Sequence, residues 1–106
     1  MNLFDISGLE TGPGEVFETL LSSGDFRLER IVTLTPYAEP GEWYDQELDE
    51  WVVLLQGSAV LEYKSGKTVE MRSGDHLFIP AHKVHRIKQS SAKESCIWLA
   101  LHGKLK

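Results

Sequence analysis

The sequence predicts an all-β protein, one sandwich or barrel built from short antiparallel strands. Its 106 residues suit a single domain, because two halves would each be too small to bury a core. After Asp25 the chain consists almost entirely of short apolar or alternating segments. Turn signals, Ser65-Gly66 and Ser73-Gly74, separate several of these segments. Closely spaced strands with tight turns favour hairpin connections within one β domain.

The N-terminal part has a different pattern. Gly14 to Ser23 places Val16, Phe17, Leu20 and Leu21 at helical spacing and is followed by Gly24. This pattern predicts a short helical segment. We therefore expect residues 1–24 to form an N-terminal segment that packs on a barrel formed by residues 25–106.

Seven later segments have the composition of strands. SAVLEYK and KTVEMR alternate apolar and polar side chains on either side of Ser65-Gly66, which predicts a hairpin. The predicted strands are FRLERIVTL, WVVLLQG, SAVLEYK, KTVEMR, HLFIP, HRIKQS and SCIWLALH.

Two of these strands are apolar on both faces. In WVVLL and CIWLAL one face can line the core, and the other also has to be covered. The N-terminal segment or a second subunit could provide this cover. We predict a homodimer built partly on these strands.

Charge and composition exclude several classes of partner. The net charge of −5 argues against binding to nucleic acid or to an anionic membrane. The apolar runs are too short to span a bilayer, and the N-terminus has no basic and apolar signal pattern. The single cysteine, Cys96, cannot form an internal disulfide and fits a reducing compartment. These observations predict a cytoplasmic protein without nucleic-acid or membrane partners.

Two spaced patterns connect the chain to a known superfamily. GDHLFIPAHKVHRIKQ matches G-(x)5-P-x-G-(x)2-H-(x)3-N at Gly74, Pro80 and His85, with His82 in place of the second Gly and Gln89 in place of Asn. Upstream, Glu50 and Gly57 match the end of G-(x)5-H-x-H-(x)3,4-E-(x)6-G. Between about Phe26 and His102 the chain thus resembles the cupin superfamily.

The resemblance implies a small cupin β-barrel, a jelly-roll-like double antiparallel sheet with an internal pocket. In cupins with complete motifs, two His and one Glu of the first motif and one His of the second bind a divalent metal. Imidazole and carboxylate ligands suit Mn, Fe, Ni or Zn. In this chain Glu50 and His85 correspond to two of those four ligands.

The first motif contains no histidine in this sequence, so other residues stand at the His-x-His positions. Depending on the spacing, these are Tyr44 and Gln46, Trp43 and Asp45, or Glu47 and Asp49. Strand alternation favours the first pair, because Tyr44 and Gln46 share a face with Glu50 in an extended segment. We predict a ligand site at Tyr44, Gln46, Glu50 and His85, with a possible divalent metal at Gln46, Glu50 and His85.

The remaining chemically capable residues have simpler interpretations. His82 is predicted to be exposed, and His76 and His102 are interpreted as structural or surface residues. Cys96 lies in an apolar strand, where a buried inert thiol is expected. Trp43, Trp51 and Trp98 could stack on a ligand or pack in the core and dimer contacts.

Three functional hypotheses follow. The first is a cupin that binds a small molecule in its pocket, with or without a divalent metal. The second is a metal-free isomerase or epimerase in which His85 and Glu50, or Tyr44, transfer protons. The third is a non-catalytic sensory or interaction module, because a fold alone does not imply enzyme activity.

Overall fold

A computed structural model describes residues 1–9, 15–34, 39–91 and 93–106. Within these residues the secondary structure consists of eight strands and no helix. The strands are β1 (Glu15–Ser23), β2 (Phe26–Thr33), β3 (Asp49–Gln56), β4 (Ser58–Tyr63), β5 (Thr68–Arg72), β6 (His76–Ile79), β7 (His85–Ser90) and β8 (Cys96–Gly103). No helix in the described ranges is long and apolar enough to cross a bilayer.

The strands form two antiparallel sheets that enclose a common core. One sheet has the order β1-β2-β8-β3-β6, and the other has the order β5-β4-β7. The inward side chains of both sheets form one apolar cluster, which includes Leu54, Leu61, Met71, Ile87 and Trp98. The all-β double-sheet prediction is confirmed, and the seven predicted strands coincide with β2 to β8 to within two residues.

The first strand lies where the sequence pattern predicts a helix, and that prediction is wrong. Residues 15–23 pair antiparallel with β2 and extend the five-stranded sheet; Gly14, the first residue of the predicted helix, lies outside the described residues. The pairing register shifts between Thr19 and Leu21, so Leu20 is an extra residue in a bulge. The extra residue interrupts the alternation, and the apolar side chains therefore recur at a spacing that resembles a helical period.

The N-terminal residues cover part of the outer face of β2. Arg30 is buried, and its guanidinium donates hydrogen bonds to the carbonyl groups of Leu3 and Asp5 at 3.0 and 2.7 Å. Its Nε atom also donates to the Glu18 carboxylate at 2.6 Å. Because Ile31 on the same strand faces the interior, Arg30 points to the opposite face of the sheet. The contacts of the N-terminus are with β2, so cover of the apolar strands β3 and β8 by residues 1–24 remains a prediction.

Both motif glycines and the histidine that replaces a third glycine have left-handed backbones. Gly57 and Gly74 have φ values of 93° and 95°. His82 has a φ of 63° and is the one non-glycine residue with positive φ in the described part of the chain. L-residues with a Cβ rarely adopt this conformation. The positive φ therefore explains why glycine occupies positions 57 and 74, and why the superfamily motif has glycine at position 82.

Candidate functional site

A cavity lies between the two sheets, at the end of the barrel where β3 begins. Its volume is about 50 Å³, enough for roughly three to four water molecules or a short organic ligand. One side is apolar, with Ile31, Val52, Leu61, Ile79 and Ile87 in the wall. The polar lining residues are Glu15, Tyr44, Gln46, Glu50, His85 and His102.

All four residues of the predicted ligand site line this cavity. Glu50 and His85 project inward from β3 and β7, while Tyr44 and Gln46 belong to the segment that precedes β3. That segment is not a regular strand, but Tyr44 forms an isolated bridge with His85. The structure therefore brings the four side chains together, and their role in binding remains a prediction.

Glu50 and His85 form a close acid–base pair in the cavity wall. Oε1 of Glu50 lies 3.6 Å from Nε2 of His85, and each side chain is 8% exposed. On the other side of the ring, His85 Nδ1 lies 2.9 Å from the carbonyl oxygen of Lys83. A carbonyl oxygen only accepts, so Nδ1 carries a proton and Nε2 is the atom that faces Glu50.

The environment of His85 favours its charged form. Burial lowers the pKa of His85, but the adjacent Glu50 carboxylate and the Lys83 carbonyl outweigh this effect. The resulting pKa lies above the ordinary value of 6.5. The pair therefore combines a carboxylate with an imidazole that retains its second proton at higher pH than a free histidine.

Tyr44 contributes a neutral hydroxyl to the same wall. Its hydroxyl donates to Oε1 of Glu15 at 3.2 Å, and its ring lies 5.9 Å from the His85 ring. Burial, followed by the negative charges of Glu15, Glu42 and Glu50, raises the pKa of Tyr44 far above its ordinary value. Tyr44 is therefore a hydrogen-bonding group here rather than a proton acceptor at neutral pH.

His102 is a cavity-lining residue that the sequence interpretation missed. It lies opposite Glu50 in the pairing of β8 with β3 and is 3% exposed, so it is not a surface residue. Its Nε2 atom is 2.8 Å from Oε1 of Glu29 and 3.9 Å from Oε2 of Glu50. The Glu29 contact is close in distance but lacks hydrogen-bond alignment. Alternation along CIWLALH places His102 on the same face as Trp98, which was the available signal.

The other residues of the acidic segment point away from the cavity. Trp43 packs beneath the side chains of Lys64 and Arg86, whose charged groups lie 4.4 and 4.1 Å from its ring centre. Asp45 lies 2.9 Å from Nδ1 of His82, which is exposed as predicted. Asp49 accepts backbone hydrogen bonds from Ala81 and Leu105. These contacts are structural, and none of them reaches the cavity.

The described side chains do not form a three-donor metal centre. No group of three His, Cys, Asp or Glu residues within residues 1–9, 15–34, 39–91 and 93–106 is placed so that it could hold one ion. The two oxygens of Glu50 lie nearest to two different imidazoles, at 3.6 and 3.9 Å. A metal at Gln46, Glu50 and His85 remains a prediction.

The double sheet and its interior acid–base cavity define a small barrel of the cupin type. A family model described as a cupin domain matches residues 30–102, well over half of the chain. The chain belongs to the cupin family, which confirms the resemblance found in its motifs.

Solved structures show the same fold. A proposed mannose-6-phosphate isomerase from Ralstonia eutropha is 38% identical, with a TM-score of 0.84 over 97% of this chain and 95% of that one. A cupin superfamily protein from Desulfitobacterium hafniense is 21% identical, with a TM-score of 0.72 over 90% and 83% of the two chains. A cupin domain from Bordetella pertussis is 15% identical, with a TM-score of 0.69 over 90% and 98%. Among curated proteins, none matches the chain significantly.

Proposed function

We propose that the barrel cavity binds a small molecule and that Glu50 and His85 transfer protons to and from it, as in an isomerase or epimerase. The observation that carries this proposal is the buried pair itself, with Oε1 and Nε2 3.6 Å apart in the cavity wall. A carboxylate and an imidazole with a raised pKa are a matched base and acid.

The pair suits the interconversion of a hydroxy-aldehyde and a hydroxy-ketone. Glu50 removes the proton from the carbon beside the carbonyl, and the C–H electron pair forms a C=C bond. The carbonyl oxygen takes the Nε2 proton of His85, which yields an enediol. Glu50 then returns its proton to the former carbonyl carbon, while Nε2 takes the hydroxyl proton from the other oxygen. Atoms and charges balance, and both catalytic groups return to their starting states.

The relative from Ralstonia eutropha supports this class of reaction. It is a proposed isomerase, it shares 38% of its residues with this chain, and the two chains overlap almost completely. We carry over only the reaction class, isomerisation by proton transfer. The structures below 25% identity support the fold alone.

Deuterium exchange tests the proposal without knowledge of the natural substrate. The protein is incubated in heavy water with glyceraldehyde, dihydroxyacetone, mannose, fructose or mannose 6-phosphate, and deuterium entry at carbon is followed by NMR. Removal of an acid or base generally costs about 10²- to 10⁴-fold in rate. Glu50→Gln and His85→Gln should therefore each reduce exchange by about 100-fold or more, with the fold intact.

Glu47→Gln is the matched control, because Glu47 is exposed and belongs to the segment just before β3. Its exchange rate should equal that of the wild type. Exchange that survives unchanged in either Glu50→Gln or His85→Gln would contradict the proposed pair.

The possible divalent metal is tested separately. Untagged protein from medium supplied with Mn, Fe, Ni and Zn is analysed for metal content. One equivalent of one metal, lost in Glu50→Gln and in His85→Gln, would support the predicted set with Gln46. Substoichiometric amounts of every metal would contradict it.

The homodimer predicted on WVVLL and CIWLAL remains a proposal. No side chain of those two strands, β3 and β8, is fully exposed, whereas the first hairpin of the same sheet carries exposed apolar side chains that support a dimer contact there. Phe17, Leu21 and Phe26 are 50, 69 and 49% exposed on β1 and β2, and β1 is an edge strand. Sedimentation at micromolar concentration should give the mass of a dimer, and Leu21→Lys should shift it towards the monomer. The buried free thiol of Cys96 is consistent with a cytoplasmic location, which likewise remains a proposal.

A further inference from the structure

The cavity wall contains a buried donor that has no partner in the described part of the protein. Trp98 lines the cavity and is 3% exposed, and its Nε1 atom makes no hydrogen bond there. Buried indole N–H groups are usually hydrogen-bonded, because they lose their contacts with water on folding. Trp98 thus carries an unsatisfied donor on a residue of the cavity wall.

The ionisable groups of the cavity lining are carboxylates, histidines and the Tyr44 hydroxyl. Two carboxylates, those of Glu15 and Glu50, belong to its lining, and Glu29 lies directly behind His102. No Lys or Arg side chain lines the cavity among the described residues. The segments outside the description, residues 10–14, 35–38 and 92, contain neither residue type in their sequence.

The cations nearest in sequence are engaged elsewhere. Arg30 points to the outer face of β2, where it binds Glu18 and the N-terminal carbonyl groups. Arg86 follows His85 but pairs with Glu62 at 2.7 Å and covers the Trp43 ring. A phosphate group in the cavity would thus meet carboxylates in a partly dehydrated space without a fixed counter-charge other than histidine.

We infer that the cavity selects a short, uncharged hydroxy-carbonyl compound over its phosphate ester. Trp98 donates a hydrogen bond to a carbonyl or hydroxyl oxygen, the Glu15 carboxylate accepts a hydrogen bond from a hydroxyl group, and the apolar wall packs against the carbon chain. The inference rests on the ligand site of the proposed function and narrows its substrate class. The inferred substrate thus differs from the phosphorylated sugar in the name of the relative from Ralstonia eutropha.

The three tryptophans provide a binding measurement that does not depend on turnover. Each gives one indole N–H signal in a ¹H–¹⁵N NMR spectrum, and Trp98→Phe identifies the relevant one. Dihydroxyacetone and mannose are titrated in parallel with dihydroxyacetone phosphate and mannose 6-phosphate. The uncharged compounds should move the Trp98 signal saturably, whereas the phosphate esters should bind at least tenfold more weakly. Trp43 and Trp51, which do not line the cavity, are internal controls.

A charge-removing variant tests the cause of the selection. Glu15→Gln keeps the shape of the side chain and should reduce the discrimination against the phosphate ester by several-fold. Glu70→Gln is the matched control, because Glu70 is exposed on β5 and outside the cavity lining. It should leave the discrimination unchanged.

Two results would overturn the inference: a phosphate ester that binds as tightly as its uncharged partner, or a Trp98 signal that no uncharged compound moves. Deuterium exchange separates this failure from failure of the proposed function. Binding of uncharged compounds without exchange would remove the proposed chemistry and leave the selectivity. Deuterium exchange that is faster with phosphate esters would support the proposed chemistry and contradict the selectivity.

Discussion

Tyr44 and His85 are hydrogen-bonded to each other through their backbones in both directions. The Tyr44 N–H donates to the His85 carbonyl at 2.7 Å, and the His85 N–H donates to the Tyr44 carbonyl at 3.1 Å. This pair of bonds attaches the acidic segment before β3 to the start of β7. The Tyr44 side chain consequently lies beside the imidazole, although the segment around it is not a regular strand.

The raised pKa of His85 predicts that the protein becomes less stable as pH rises. A histidine whose pKa is raised on folding stabilises the folded protein most when the pH is below its pKa in the unfolded chain, which is 6.5. This stabilisation is lost as the pH rises through the pKa of the folded state. The free energy of unfolding in urea should thus fall as pH rises above about 6.5 and level off once pH exceeds the raised pKa of folded His85. The cause is mainly the Glu50 carboxylate, with the Lys83 carbonyl and Glu15 adding to it.

His85→Gln should remove this pH dependence. His82→Asn is the control, because His82 is exposed and Asn tolerates its left-handed backbone. An unchanged slope in His85→Gln, or a slope abolished in His82→Asn, would show that another group is responsible.

Glu29 and His102 should be energetically coupled in the folded protein. Their side chains are 9 and 4% exposed, and Oε1 lies 2.8 Å from Nε2. Removing His102 leaves the buried Glu29 carboxylate poorly compensated, so His102→Ala should reduce stability by roughly 2–4 kcal/mol. Arg27, 3.4 Å from Glu29, limits the loss.

A double-mutant cycle isolates the contact. Unfolding of wild type, Glu29→Gln, His102→Gln and the double variant should give a coupling energy of roughly 1–3 kcal/mol. Additive effects of the two single changes would mean that the short distance contributes nothing to stability.

Gly57 should tolerate a side chain less well than Gly66, although both have left-handed backbones with φ of 93° and 95°. A Cβ at Gly57 would lie 2.9 Å from Sγ of Cys96 and 3.0 Å from Oγ of Ser91, whereas a Cβ at Gly66 would meet nothing within 4 Å. Gly66→Ala should cost roughly 1–2 kcal/mol for the backbone alone. Gly57→Ala should reduce stability by roughly 2–4 kcal/mol, because the steric clash with Cys96 and Ser91 adds to the backbone cost.

Denaturant unfolding of the two variants side by side measures this difference. Equal losses would mean that Cys96 and Ser91 move aside freely, and that the motif glycine is required only for its backbone conformation.

At position 82 glycine should be a better residue than alanine. Both substitutions remove the contact between His82 and Asp45, so they differ only in the cost of a Cβ at φ of 63°. His82→Gly should be more stable than His82→Ala by about 1 kcal/mol, after the greater flexibility of unfolded glycine is allowed for. Thermal or urea unfolding of the pair measures this directly, and an alanine variant of equal or greater stability would contradict the explanation.

The strand assignments from β2 to β8 could be made from the sequence because their cues are local. Alternation in SAVLEYK and the turn at Gly66 require no knowledge of distant residues. The same cues failed for β1, where a bulge at Leu20 imitates a helical period. Residues 15–23 form a strand because they pair with β2, and the local sequence pattern does not predict that pairing.

The site was predictable only in part. Spaced motifs singled out Glu50 and His85, and strand alternation selected Tyr44 and Gln46, all of which line the cavity. His102 carried no motif. It became part of the wall because β8 pairs with β3 in the register that sets His102 opposite Glu50.

The sequence by itself determined the fold class, the family and one acid–base pair, since these depend on the order and spacing of residues along the chain. Only the tertiary structure decided which groups surround that pair. His102 and Trp98 come from a strand distant in sequence from Glu50 and reach the cavity through sheet pairing, and Glu29 lies next to His102 outside the lining. The electrostatics of a buried site depend on distance in space, and folding brings the carboxylates of Glu29 and Glu50 within 4 Å of the His102 ring.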